Sequence, residues 1–145
     1  MGRRGLGWRA GAMMIAAVGI ASAQQPDTFK GRLSPVPVTA ATAPSTVGSG
    51  SLTATLQDSR LAVQGTFEGL NSRATFARLH RARPGMRGPS VIDLNITKAT
   101  SGTIDGALKL TAVDMTHLTN GWFYVQLHTE NNPDGHLRGW LLKPR

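Results

Sequence analysis

Hydrophobic and polar residues alternate with period two along most of this chain, and no segment sustains the 3.6-residue period of an amphipathic helix. Leu52, Ala54 and Leu56 share one face of a run from Ser51 to Gln57, with Thr53 and Thr55 opposite. After a turn at Asp58-Ser59, Leu61, Val63, Gly65 and Phe67 continue the alternation, so the two runs predict a hairpin. Thr75 to His80 is a third run. Ile92, Leu94 and Ile96 line one face of a fourth, Val91 to Thr97, and Gly102 to Leu110 is a fifth. The last quarter gives the clearest signal: Gly121 to Thr129 and His136 to Leu141 are β-prone runs around the polar turn Glu130-Asn131-Asn132-Pro133-Asp134-Gly135. Asp114 to Leu118 reads as a single helical turn, with Asp114 as its cap. Turn signals at roughly ten-residue spacing predict an all-β, antiparallel Greek-key β-sandwich of about seven or eight strands. A closed barrel is the alternative that periodicity cannot separate.

Upstream the composition changes. Residues 24–50 are rich in Pro, Thr, Ala, Ser and Gly and read as a flexible segment, with Thr28 to Leu33 suited to an edge strand. Residues 1–23 have the form of a cleavable signal peptide: Arg3, Arg4 and Arg9, then the apolar run Ala12 to Ala21, then Ala21-Ser22-Ala23. The apolar run falls short of the roughly 20 residues a membrane span needs, and no Cys at the cleavage point offers a lipid anchor. Residues 51–145 then form the core of one β domain, in a secreted or periplasmic protein with no stable membrane insertion after cleavage. The absence of cysteine removes disulfides and thiolate chemistry.

The formal charge is +8, three of the positive charges belonging to the signal. The rest concentrate in Arg73, Arg78, Arg81, Arg83 and Arg87, and again in Arg138, Lys143 and Arg145. Arg78, Arg81, Arg83 and Arg87 are therefore the candidate binding surface for an anionic partner. Nucleic acid is not expected, since no aromatic residues interleave with these arginines to stack bases. Arg138, inside the last strand, is expected to clamp the sheet edge by pairing with Glu130, Asp134 or another acid, or by donating to turn carbonyls.

Four histidines lie in the second half, of which His80, His128 and His136 stand at predicted strand ends. Strand ends can gather at one rim, so these three are candidate ligands for copper or zinc. No His-x-His or His-x-x-x-His spacing supports the site locally, and a ring bonded to a backbone carbonyl is the plainer reading. His117 is expected to be exposed. The acids sit mostly in turns, where Asp serves local hydrogen bonding. No nucleophile elbow and no phosphate-binding loop occurs. Asn95-Ile96-Thr97 matches a glycosylation acceptor.

Phe67-Glu68-Gly69-Leu70, Ala77-Arg78-Leu79-His80, Gly88 to Leu94, Gly121 to Thr129 and Gly135 to Gly139 together resemble a CHRD domain, the module named for chordin. The resemblance spans about Thr28 to Leu142. Its specific part is the final hairpin, through Tyr124, His128, Thr129, Pro133, Gly135, Arg138 and Gly139. It implies an all-β extracytoplasmic domain with a binding or scaffolding role. Two positions depart from the family pattern: Arg78 stands where a first histidine is common, and His136 where glutamate is usual. A fainter similarity to copper/zinc superoxide dismutase leaves the sandwich Ig-like or superoxide-dismutase-like. The expectation is a non-enzymatic exported module, without a cofactor, for a protein or anionic envelope partner; the alternative is a copper- or zinc-binding domain, with a metal-dependent activity built on it.

Overall fold

The computed structural model describes residues 25–145 and, upstream of these, only Gly2, Gly11 and Gly19, so the expected signal sequence lies outside the described residues. The strands are β1 (Asp27–Pro35), β2 (Ser49–Gln57), β3 (Arg60–Glu68), β4 (Ala74–Arg81), β5 (Ser90–Ile96), β6 (Gly102–Lys109), β7 (Phe123–Thr129) and β8 (Leu137–Trp140). One helix, α1 (Ala112–Thr119), joins β6 to β7, and a 3-10 turn (Ala43–Ser45) lies between β1 and β2. No helix among the described residues is long and apolar enough to cross a membrane.

All pairings are antiparallel, in the order β1-β2-β3-β6-β5-β4-β7-β8 with β8 returning to β1. The chain crosses from β3 to β4 and from β6 to β7, which is the expected Greek-key wiring. The expected sandwich is corrected to a closed barrel. Two short seams make the difference. One pairs Ser34 with Arg138 and Pro35 with Leu137; the other pairs Asn95 with Asp105 and Ile96 with Ile104. They join strands that a sandwich would leave as open edges, with unpaired amides and carbonyls. For the same reason β1 is no edge strand: β2 pairs along one side of it and β8 meets the other.

Space for the β1–β8 seam comes from glycine. A Cβ at Gly31 would lie 2.5 Å from the Trp140 carbonyl oxygen, and one at Gly139 would lie 2.6 Å from that of Arg32. Beyond the seam, Lys30 exchanges two backbone hydrogen bonds with Leu142, at 2.7 and 2.9 Å. Inside, Leu52 fills the room these glycines leave, reaching toward Gly31, Gly65 and Gly139. Leu33, Phe29, Val63, Leu79, Val125, Leu127 and Leu137 complete a buried apolar core. This interleaving of small and large inward residues lets a narrow barrel fill itself.

Helix α1 is longer than its expected single turn, and its cap is Thr111: the Asp114 amide donates to Thr111 Oγ1 at 3.1 Å. Asp114 is thereby freed for Arg81, whose guanidinium it binds, so the helix is tied to the end of β4.

Overpacking a filled interior costs about 1–3 kcal/mol. Gly139→Ala is therefore expected to lower unfolding stability by about that amount in urea titration, without changing the protein's secondary structure. An unchanged midpoint would mean that the seam is not sterically closed.

Candidate functional site

The outer face of β4, β7 and β8 carries several of the residues singled out above: Arg78, His80, Tyr124, His128 and Arg138. Strand register arranges them in rows. Phe76 lies beside His128; Arg78 beside Gln126 and then Arg138; His80 beside Tyr124 and then Trp140. Strand β7 is buried on both faces, its outward Tyr124, Gln126 and His128 as well as its core residues. Burial of these outward groups comes from their neighbours on β4 and β8 and from two loops, 82–89 and 130–136, that bond to them.

A buried polar row must be satisfied internally. Arg138 Nε donates to Gln126 Oε1 at 2.9 Å, which points the Gln126 amide nitrogen at the Asp134 carbonyl, 3.2 Å away, and at His128 Nε2, 3.4 Å away. His128 Nδ1–H donates to the Pro133 carbonyl at 2.8 Å, so the neutral ring accepts at Nε2. Gly135 closes the turn above at φ 137°, in the left-handed region where glycine is favoured, and a Cβ there would come within 2.7 Å of Gln126 Nε2. Gln126, absent from the sequence-predicted set, is thus the hub. Its only sequence signal is a polar side chain amid an apolar run.

The three candidate metal ligands occupy separate stations. His80 stacks flat on Tyr124, ring centroids 4.8 Å apart, and its Nδ1–H donates to the Gly88 carbonyl at 3.0 Å; its Nε2 is buried without a partner. His128 stacks on Phe76 at 4.0 Å, with the Arg78–Gln126 row between it and His80. His136 is fully buried and has both nitrogens engaged. Its Nε2–H donates to the Val47 carbonyl at 2.6 Å, and its Nδ1 accepts from Thr129 Oγ1 at 2.9 Å and Asn132 Nδ2 at 3.1 Å. It pins the β1–β2 loop to the final hairpin. Among the described residues no group of three His, Cys, Asp or Glu side chains is placed to hold a metal ion.

The expected arginine surface is also divided. Arg81 is committed to Asp114. Arg83 lies over the Trp122 ring at 5.1 Å, and His117 stacks on that ring from α1 at 4.9 Å, partly buried rather than exposed. Arg78 binds Asp93 at 2.8 Å. Arg87 is exposed and borders a groove between residues 36–46 and the hairpin turn. Arg138 departs furthest from expectation: it pairs with neither Glu130 nor Asp134. It lies 5.2 Å from the Tyr124 ring centre, half-buried, with no carboxylate partner among the described residues. Burial pulls its guanidinium below the usual arginine range, opposed by Tyr124 and aided by the charge of Arg87.

Burial also depresses the imidazoles. His80 is lowered chiefly by desolvation, with Arg78 and Arg138 adding to it against the opposing Gly88 bond. His128 is lowered by desolvation, Arg78 and His80 against the Pro133 bond and Asp134. The native state therefore favours neutral rings, while the unfolded chain protonates near pH 6.5. Stability from this source is present in full above pH 6.5 and is lost as the pH falls below it, through the depressed native values. Urea midpoints are expected to decline from about pH 7 to about pH 5, and to decline less in a His80→Gln/His128→Gln double variant. Parallel declines in both proteins would contradict this assignment.

A family model, the CHRD domain, matches residues 29–141, from the first core residue of β1 to the residue after β8. No curated protein and no solved structure gives a significant match. The match covers every strand and the polar face built on β4, β7 and β8, and the chain belongs to the CHRD domain family.

Proposed function

We propose that this CHRD domain is a non-enzymatic binding module that receives an anionic group of a protein or envelope partner on the outer face of β4, β7 and β8. The observation that carries this reading is Arg138. A charge withdrawn from water is ordinarily matched by a counter-charge. Arg138 is instead bonded to a neutral amide and accompanied by a second unpaired cation, Arg87. The row beneath it is rigid and satisfied, so its position is set before any partner arrives, which lowers the ordering cost of association. The groups around it serve structure: neutral imidazoles bonded to carbonyls, and aromatic rings in stacks. They supply no activated nucleophile or acid–base pair. The module works outside the cytoplasm, secreted or periplasmic, delivered by the signal read in residues 1–23.

Exposed charge is screened over about 8–10 Å at ordinary ionic strength, so binding is expected to weaken with salt. Arg138→Gln and Arg87→Gln should each elute from an anionic matrix at lower salt than Arg60→Gln or Lys109→Gln, which remove the same charge from the opposite wall of the barrel. Equal shifts in all four variants would reduce the interaction to net charge and contradict a localised site.

A further inference from the structure

The partner's chemistry can be narrowed, on the premise that the anion-receiving face above is real. Arg138 adjoins the groove through two contacts. Its strand neighbour is Ser34, two residues before the apolar wall formed by Val36, Pro37 and Val38. Its hydrogen-bond partner Gln126 also holds the Asp134 carbonyl in the opposite wall. The Val36 amide donates to the His136 carbonyl at 3.0 Å, so the buried His136 fixes the spacing of the two walls. The groove has a volume of about 330 Å³; Pro133 and Asp134 face the apolar wall, and Arg87 stands at its border.

Charge decides what fits. Arg78 is already neutralised by Asp93, Arg81 by Asp114, and Asp134 places a carboxylate on the groove itself. Beside the groove, Arg87 on its border and Arg138 adjoining it have no carboxylate partner among the described residues. A densely charged polysaccharide or an anionic lipid surface gains affinity from many cations over a broad area. Here one cation, Arg87, one acid, Asp134, and the apolar Val36, Pro37, Val38 and Pro133 line one short groove, and a second cation, Arg138, adjoins it. We propose that the groove and Arg138 bind an acidic peptide segment of a partner protein, one carboxylate on the Nη edge of Arg138 and an adjoining apolar side chain against Val36, Pro37 and Val38. The Nε of Arg138 is spent on Gln126, which leaves the outer edge of the guanidinium for a two-pronged contact. Arg87 then meets a second carboxylate or the peptide's carbonyls.

The test is fluorescence anisotropy of the folded domain with a labelled octapeptide alternating glutamate and leucine. Its glutamine–leucine counterpart, a polygalacturonate and phosphatidylglycerol vesicles serve as comparators. Saturable binding of the glutamate peptide and not of the glutamine peptide is expected. A charge-assisted contact corresponds to about tenfold or more in affinity, so Arg138→Gln should weaken binding by that factor. Arg87→Gln, at an exposed position, tests the same site without risk to the fold. Val38→Ser should weaken the peptide several-fold while leaving retention on an anionic matrix unchanged. Peptide binding that is absent, or indifferent to Arg87 and Arg138, overturns the inference. If polygalacturonate or vesicles bind in an Arg138-dependent way while the peptide does not, the peptide assignment falls and the broader anion-receiving role survives. If no ligand depends on Arg87 or Arg138, both fall.

Discussion

The near contact of β1 with β8 is the constraint on which the rest of the structure depends. Gly31 and Gly139 bring the two backbones close enough to complete the ring of strands. That closure sets the register that puts Arg138 beside Ser34 on one side and Gln126 on the other. It also carries the chain from β1 straight into the loop whose Val36 meets His136. The same closeness is what Leu52 fills from inside. Core packing and surface chemistry thus share one geometric origin: side chains on the inner face of the seam must be absent so that those on its outer face can be placed.

Strand β7 converts that geometry into a site. Central in its half of the barrel and covered from outside, it has no solvent to satisfy its outward polar groups. The result is a directed sequence of hydrogen bonds, from Arg138 to Gln126, from Gln126 to His128, and from His128 to the Pro133 carbonyl. Each donor fixes the orientation of the next acceptor, so one amide rotamer and one imidazole tautomer are compatible with the whole. Buried polar groups linked in this way make a rigid platform. At its edge stand Arg138 and, on the neighbouring loop, Arg87, neither with a carboxylate partner among the described residues.

Alternation alone located nearly every strand, because one face of each is buried in a common core and the period-two pattern records that. Barrel closure was not legible in the same way. It depends on a register between strands at opposite ends of the chain, and Gly31 and Gly139 look like ordinary strand glycines until their partners are known. The arginines show a similar split. Arg138 stood out as a charge within a strand, yet its partner is an amide rather than the expected acid. Arg81 and Arg83 looked like surface charge, but Asp114 and Trp122, distant in sequence, claim them for the fold. The histidines do not converge: on the outer face the row of His80 lies two rows from that of His128, and His136, in the turn before β8, is buried against Thr129 and Val47. Thr111, not Asp114, caps the helix, and the Asp114 carboxylate is engaged by an arginine brought in by β4.

The most direct measurement is an NMR titration that follows the arginine Nε–H signals of the domain as a glutamate-rich peptide is added. A localised anion site predicts large, saturating shifts of the Arg138 and Arg87 signals and of the Gln126 side-chain amide, with the Arg60 signal still. Shifts spread evenly over all arginines, or confined to those outside the β4–β7–β8 face, would contradict it.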